Sequence, residues 1–168
     1  VGTASYGLSI SRDKGKTWTN YFGDADPKLQ YSFGIAVSGS SIYYASYAGV
    51  SISTDKGKTW VTHMGSSTIP GSVNALGLYG STLYAAVGKD VYATTDEGET
   101  WNHAFTSTTH VYDINTTDDC IALAVMNGIL ISYDEGKTWE STEISTLNGL
   151  YKDVVSEVVV SGKRIFAA

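Results

Sequence analysis

The sequence predicts an all-β fold of consecutive antiparallel sheets, and three observations carry that expectation. One octamer recurs four times, at residues 11–18 (SRDKGKTW), 53–60 (STDKGKTW), 94–101 (TTDEGETW) and 132–139 (SYDEGKTW). Short runs of aromatic and branched residues, of the kind strands prefer, stand in the same register around each copy. The composition agrees: 17% charged residues, 12 tyrosines and 18 glycines in 168 residues favour strands and tight turns over helices.

Each repeat reads as four strands, A to D. Strand A is a run such as GIAVS (34–38) or VNALGLY (73–79), followed by a turn residue, Gly39, Gly80, Asp118 or Gly162. Strand B opens thirteen residues before the octamer aspartate, at Ile42, Leu83 and Ile121, in the runs IYYAS, LYAAV and IALAV. Strand C is VSIS, VYAT or ILIS. In it Val50 and Ile52 alternate with Ser51 and Ser53, which predicts one face toward a core and one toward a wetter surface. Leu8 and Ile10 repeat this pattern in the first copy, and Ile129 and Ile131 in the fourth. The octamer then turns the chain into strand D, which its tryptophan opens. The octamer aspartates are spaced 42, 41 and 38 residues apart, close to the roughly 40 to 45 residues of a four-stranded propeller blade. The expected architecture is a β-propeller of four-stranded antiparallel blades. Residues 1–168 form one array of four repeats, with strand B of one blade split between the termini: Ile165 occupies the strand B opener, and the chain begins inside strand B of its first repeat.

The pattern S/T-x-D-x-G-x-T-W resembles the Asp-box, or BNR repeat, of sialidases, sortilin-type receptors, some glycoside hydrolases and related bacterial proteins. All four copies match at every fixed position. The resemblance implies a propeller with the box between strands C and D. The chemistry of the turn fits that placement. Asp13, Asp55, Asp96 and Asp134 can accept hydrogen bonds from backbone N–H groups of their own turns. Gly15, Gly57, Gly98 and Gly136 supply a backbone conformation that a side chain resists. Trp18, Trp60, Trp101 and Trp139 are expected to be buried and mostly equivalent, each N–H finding one partner. The four aspartates and the four tryptophans are read as structural.

Catalysis finds little support. Sialidases resemble one another in clamping the substrate carboxylate with three arginines, and this chain has two, Arg12 and Arg164. Asp113 and Glu157 hold the same position in strand A of neighbouring repeats. Such a pair could stand within the roughly 5 to 9.5 Å that glycoside hydrolysis uses; the competing reading is two polar groups in a water-filled channel. His63, His103 and His110 lack ligand spacing, so no metal and no cofactor are expected. Cys120 is alone and reads as a small buried hydrophobe at the start of a strand. The acceptor triplet at Asn115 falls in an inner strand and reads as chance. A net charge of −6 disfavours nucleic-acid phosphates, and no stretch resembles a membrane span.

Recognition is better supported. The octamer end of each sheet is repetitive, whereas the B–C turns and D–A links at the other end vary, and variation on a fixed scaffold is where binding sits. Tyr6, Tyr21, Tyr31, Tyr47 and Tyr151 are the candidate ligand-binding residues there, with Asp90, His110 and Met126 among the varied neighbours. The expected function is a non-catalytic, lectin-like or protein-binding module. The alternatives are a structural or assembly array, as a fragment or engineered propeller, and a glycoside hydrolase using Asp113 and Glu157. Open strand edges at the split blade predict a homo-oligomer, with a dimeric ring favoured. Few lysines and many Tyr, Ser and Thr point to an extracytoplasmic or secreted setting.

Overall fold

A computed structural model describes residues 2–3, 7–21, 29, 31–63, 71–126, 128–143 and 154–168. Among them are seventeen β-strands and no α-helix. The chain divides into two compact units, Val1–Val73 and Asn74–Ala168.

The first unit holds two antiparallel sheets. One is β1–β2–β3 (Gly2–Thr3, Gly7–Ile10, Thr19–Tyr21); the other is β4–β5–β6–β7 (Gly34–Ser38, Ser41–Ser46, Gly49–Ser53, Val61–His63). The second unit holds three. Two have four strands: β8–β9–β10–β11 (Ala75–Tyr79, Thr82–Val87, Asp90–Thr94, Asn102–Thr106) and β12–β13–β14–β15 (Val111–Thr116, Ile121–Val125, Gly128–Ser132, Glu140–Glu143). The last is the pair β16–β17 (Val158–Ser161, Arg164–Ala167). Every complete sheet is a meander with strand A at one edge and strand D at the other, as the sequence predicts.

The inner strands explain their own composition. In β13, Ile121, Leu123 and Val125 enter one core with Tyr84, Val91, Val111 and Ile114. Its alternate residues Ala122 and Ala124 enter a second core with Cys120, Ile129, Ile131, Val155 and Val158. A strand packed on both faces needs a continuous apolar run, which is why IALAV does not alternate. The same argument corrects the expectation for strand C of the second repeat. Ser51 and Ser53 are as buried as Val50 and Ile52. The hydroxyls make this tolerable: Ser51 Oγ lies 2.8 Å from Thr62 Oγ1 across the sheet, and Ser53 is used by its own octamer turn.

Within the second unit, successive repeats meet along strand A. A Cβ on Gly77 would lie 2.3 Å from Ile114 Cγ2, so only glycine admits the next repeat's strand this closely. Thr116 Oγ1 donates to the Leu78 carbonyl at 2.6 Å. One repeat later the contact is polar: the N–H groups of Val158 and Val160 donate to Asp113 Oδ2 and Asn115 Oδ1, both at 3.0 Å. Side chains thereby satisfy backbone donors that a strand edge would leave open.

Candidate functional site

The octamer turns are the most regular feature, and their geometry assigns every fixed position. The first Ser or Thr donates its hydroxyl to Asp Oδ1 at 2.7–2.8 Å and accepts the glycine N–H four residues on. The seventh-position Thr donates its N–H to Oδ1 and its hydroxyl to Oδ2, the latter at 2.6–2.7 Å. Both carboxylate oxygens are therefore occupied within the turn. The Thr17, Thr100 and Thr138 hydroxyls, then their N–H groups, hold Asp13, Asp96 and Asp134 down at a pKa of about 2. Asp55 is lowered likewise, chiefly by the Thr59 N–H and then by its hydroxyl. The glycines have positive φ, and so do the residues before them, Lys14, Lys56, Glu97 and Glu135, at 57° to 64°. Two successive left-handed residues make the tight turn; the sequence signals only the glycine.

The left-handed residue is also a handle for the preceding repeat. Arg12 donates to the Lys56 carbonyl at 2.7 Å, and Tyr84 donates its hydroxyl to the Glu135 carbonyl at 3.1 Å. Arg12 also donates to the Tyr21 hydroxyl, and the Tyr21 ring lies 5.9 Å from that of Trp60. Tyr21 is thus the last residue of β3 and part of the packing at the octamer end. This corrects its expected place in a D–A link, because Tyr21 is still paired within strand D, opposite Leu8. The tryptophans are also not equivalent. Trp60 packs on Tyr21, and Trp139 stacks on Phe105 of the preceding strand D at 4.8 Å. Trp101 is 6% exposed, whereas Trp18 is 50% exposed, with no strand D preceding it among the described residues. Trp18 and Trp139 donate Nε1–H to their octamer glycine carbonyls; Trp101 has no acceptor among the described residues, which corrects the expected partner.

At the opposite end of the first unit the sheet carries an aromatic cluster. Pairing of β4 with β5 continues past Gly34↔Ala45, with Phe33 N–H donating to the Ala45 carbonyl at 3.1 Å. That extension sets Phe33 and Tyr31 beside the β5–β6 turn, where Tyr47 projects. Tyr47 meets Phe33 at 4.7 Å and Tyr31 at 5.1 Å between ring centroids, both edge to face. All three rings are exposed. The support beneath them is buried and hydrogen-bonded. Tyr44 donates to the Leu29 carbonyl at 2.9 Å, its pKa pushed up to about 12 by desolvation, and Ser46 receives the N–H groups of Ala48 and Val73. Two of the five predicted tyrosines, Tyr31 and Tyr47, come together here. Tyr6 and Tyr151 lie outside the described residues.

The second unit has a polar cluster at its corresponding end. Thr106 donates to Asp90 Oδ1 at 2.5 Å, and His103 Nε2 lies 2.9 Å from Thr106 Oγ1 and 3.3 Å from Asp90. The Thr106 hydroxyl, followed by His103, lowers the Asp90 pKa. Sequence reasoning missed this group because strict alternation would put Ala104 beside Thr106. A β-bulge shifts the register, so that Tyr92 faces His103 instead. Asp113, one of the two catalytic candidates, is engaged by the Val158 N–H, and Glu157 is exposed. No group of three His, Cys, Asp or Glu is placed to hold a metal ion among the described residues.

Comparison with protein-family models and with curated proteins finds no match. Solved structures do match. The extracellular domain of a hybrid two-component system protein from B. thetaiotaomicron is 14% identical, with a TM-score of 0.75, covering 97% of this chain and 23% of its own. YCF48 bound to D1 peptide is 16% identical, with a TM-score of 0.67, covering 83% and 49%. An ancestral GH74 enzyme is 17% identical, with a TM-score of 0.66, covering 88% and 22%. The fold is a β-propeller. At these identities the likeness carries the fold alone, and the chain spans less than half the length of each protein.

Proposed function

We propose that this chain is a non-catalytic recognition module of the Asp-box type, binding a protein or glycan ligand on the B–C turn and D–A link end of its sheets. The observation that carries the reading is the exposed trio Tyr31, Phe33 and Tyr47. Rings fixed edge to face on a hydrogen-bonded strand end have little freedom left to lose on binding. Aromatic residues are also the usual anchors of interfaces. A protein segment is favoured over a sugar, since Phe33 brings no polar group to meet hydroxyls. Two neighbours support this: YCF48 was solved with a peptide, and another neighbour comes from a nidogen–laminin complex. The saturated octamer carboxylates support a purely structural role for those aspartates, and the Asp113–Val158 bond supports a packing role for Asp113. An extracytoplasmic setting draws support from the extracellular domains among the neighbours.

The test is to pan a displayed peptide library and probe a glycan array with the wild-type chain and a Tyr31→Ser/Tyr47→Ser variant of equal circular dichroism. Peptides that bind the wild type at least tenfold better than the variant are expected. Binders indifferent to the double substitution would remove the trio as the site. Sugars bound in place of peptides would change the ligand class. Glycoside hydrolysis lost in Asp113→Asn would overturn the non-catalytic reading.

A further inference from the structure

The turn fixes five octamer positions: the first Ser or Thr, the Asp, the Gly, the Thr and the Trp. Positions two, four and six are left free, and their side chains are exposed in all four copies. What fills them separates the two units. In the first unit they are Arg12, Lys14 and Lys16, then Thr54, Lys56 and Lys58. In the second they are Thr95, Glu97 and Glu99, then Tyr133, Glu135 and Lys137. With the octamer aspartates included, the two turns of the first unit carry five cations and two carboxylates; those of the second carry one cation and five carboxylates. The chain as a whole stands at −6, so the first unit's octamers run against its general sign.

This positive excess has no counter-ion within the unit. In the fourth octamer Glu135 and Lys137, at positions four and six, pair with each other at 3.7 Å. The first two octamers hold two lysines at those positions, and none of their five cations makes an ion pair among the described residues. Asp13 and Asp55 do not serve, because both oxygens of each carboxylate are taken up by their own turn. The adjoining β4–β5 turn, Ser38 to Ser41, carries no acid. Arg12 joins the two octamers into one surface. Its Nη2 donates to the Lys56 carbonyl at 2.7 Å and to the Tyr21 hydroxyl at 3.1 Å, and its other N–H groups have no acceptor among the described residues.

Unpaired like charges on adjoining turns repel, and an external anion removes that repulsion. The free positions also indicate its kind. Four of the five cations are lysines on flexible stems spread over two turns, which suits charges repeated along a chain. No aliphatic or aromatic residue stands among them, so a peptide finds no apolar anchor and a single-stranded nucleic acid no ring for its bases. The net charge of −6 opposes a duplex. We propose that the octamer end of the first unit binds a linear sulfated polysaccharide through Arg12, Lys14, Lys16, Lys56 and Lys58. The choice of polymer rests on the extracytoplasmic setting proposed above; the site itself is separate from the aromatic trio.

The experiment titrates the full chain with heparin, as a sulfated polysaccharide, between about 50 and 200 mM salt, the range over which such contacts weaken most visibly. Binding that falls steeply with salt is expected. Lys16→Gln/Lys58→Gln should bind about tenfold more weakly, with a salt slope lower by about two, one for each cation removed. Lys137→Gln should bind as the wild type does, and both variants should keep the wild-type circular dichroism. Affinity unchanged by the double substitution, or lost equally in Lys137→Gln, would overturn the site. No binding at the lowest salt, or equal binding of chemically desulfated heparin, would overturn the sulfated ligand. Tighter binding of polyglutamate or of a DNA oligonucleotide at equal charge would overturn the polysaccharide as partner.

Discussion

Trp18 and Trp101 end the same octamer and follow the same turn, yet one ring is half exposed and the other is buried. Thr17 and Thr100 bind their aspartates with the same two bonds at nearly the same lengths. The turn is thus complete without any neighbour. The ring is not: Trp60 and Trp139 are covered by aromatic residues from a preceding strand D, and Trp18 has none among the described residues. Local chemistry builds the turn, while cover for the ring comes from the preceding repeat at Trp60 and Trp139.

The largest effect that tests this contrast is the loss of the rings themselves. Trp101→Ala should cost on the order of 3 to 5 kcal/mol, as for a large buried aromatic. Trp18→Ala should cost less than about 1 kcal/mol, as for an exposed position. Urea unfolding of both variants measures the difference, and equal losses would break the comparison. A second, smaller effect concerns the seat between repeats. Gly77→Ala forces a methyl group against Ile114 and should cost roughly 1 to 3 kcal/mol. Gly39→Ala meets no atom within 4 Å but keeps a positive φ, so its cost is strain alone, of order 1 kcal/mol. Thermal melts that rank Gly39→Ala as the worse change would refute close packing at strand A.

The smallest effect is expected from the turns. Their carboxylates titrate lower in the folded chain than in the unfolded one, so on acidification the unfolded state takes up protons first. The contribution is complete above about pH 4, the ordinary aspartate value, and declines as pH falls toward about 2. Melting temperatures measured across that window should fall with pH, and Asp134→Asn should flatten the slope. A flat profile in the wild type would mean that the turns make no pH-dependent contribution.

Much of the fold was legible because the octamer is a self-contained structure. Its Ser or Thr, Asp, Gly and Thr satisfy one another within eight residues, so the sequence pattern and the hydrogen-bond pattern coincide. Strand limits followed from the same register: GIAVS and its relatives are strands where expected. The recognition end was only half legible. Tyr31 and Tyr47 could be chosen because they flank variable turns, but Phe33 joins them only through the extension of the β4–β5 ladder. Tyr21 was misplaced because nothing local tells a link from the last residue of strand D. Ser51 and Ser53 misled in the same way, since alternation reports polarity and not what covers the second face.

By itself the sequence determined the repeat, the octamer turns and the strand order, because these depend on contacts within a few residues and on a hydrophobic period. Tertiary structure alone decided which tryptophans are buried, which serines are dry, that a bulge brings His103 to Asp90, and that Asp113 serves the Val158 N–H. Each of these rests on a partner from another strand or repeat. The free energy of such a contact depends on distance and register between segments far apart in the chain, and an isolated sequence pattern does not encode either one.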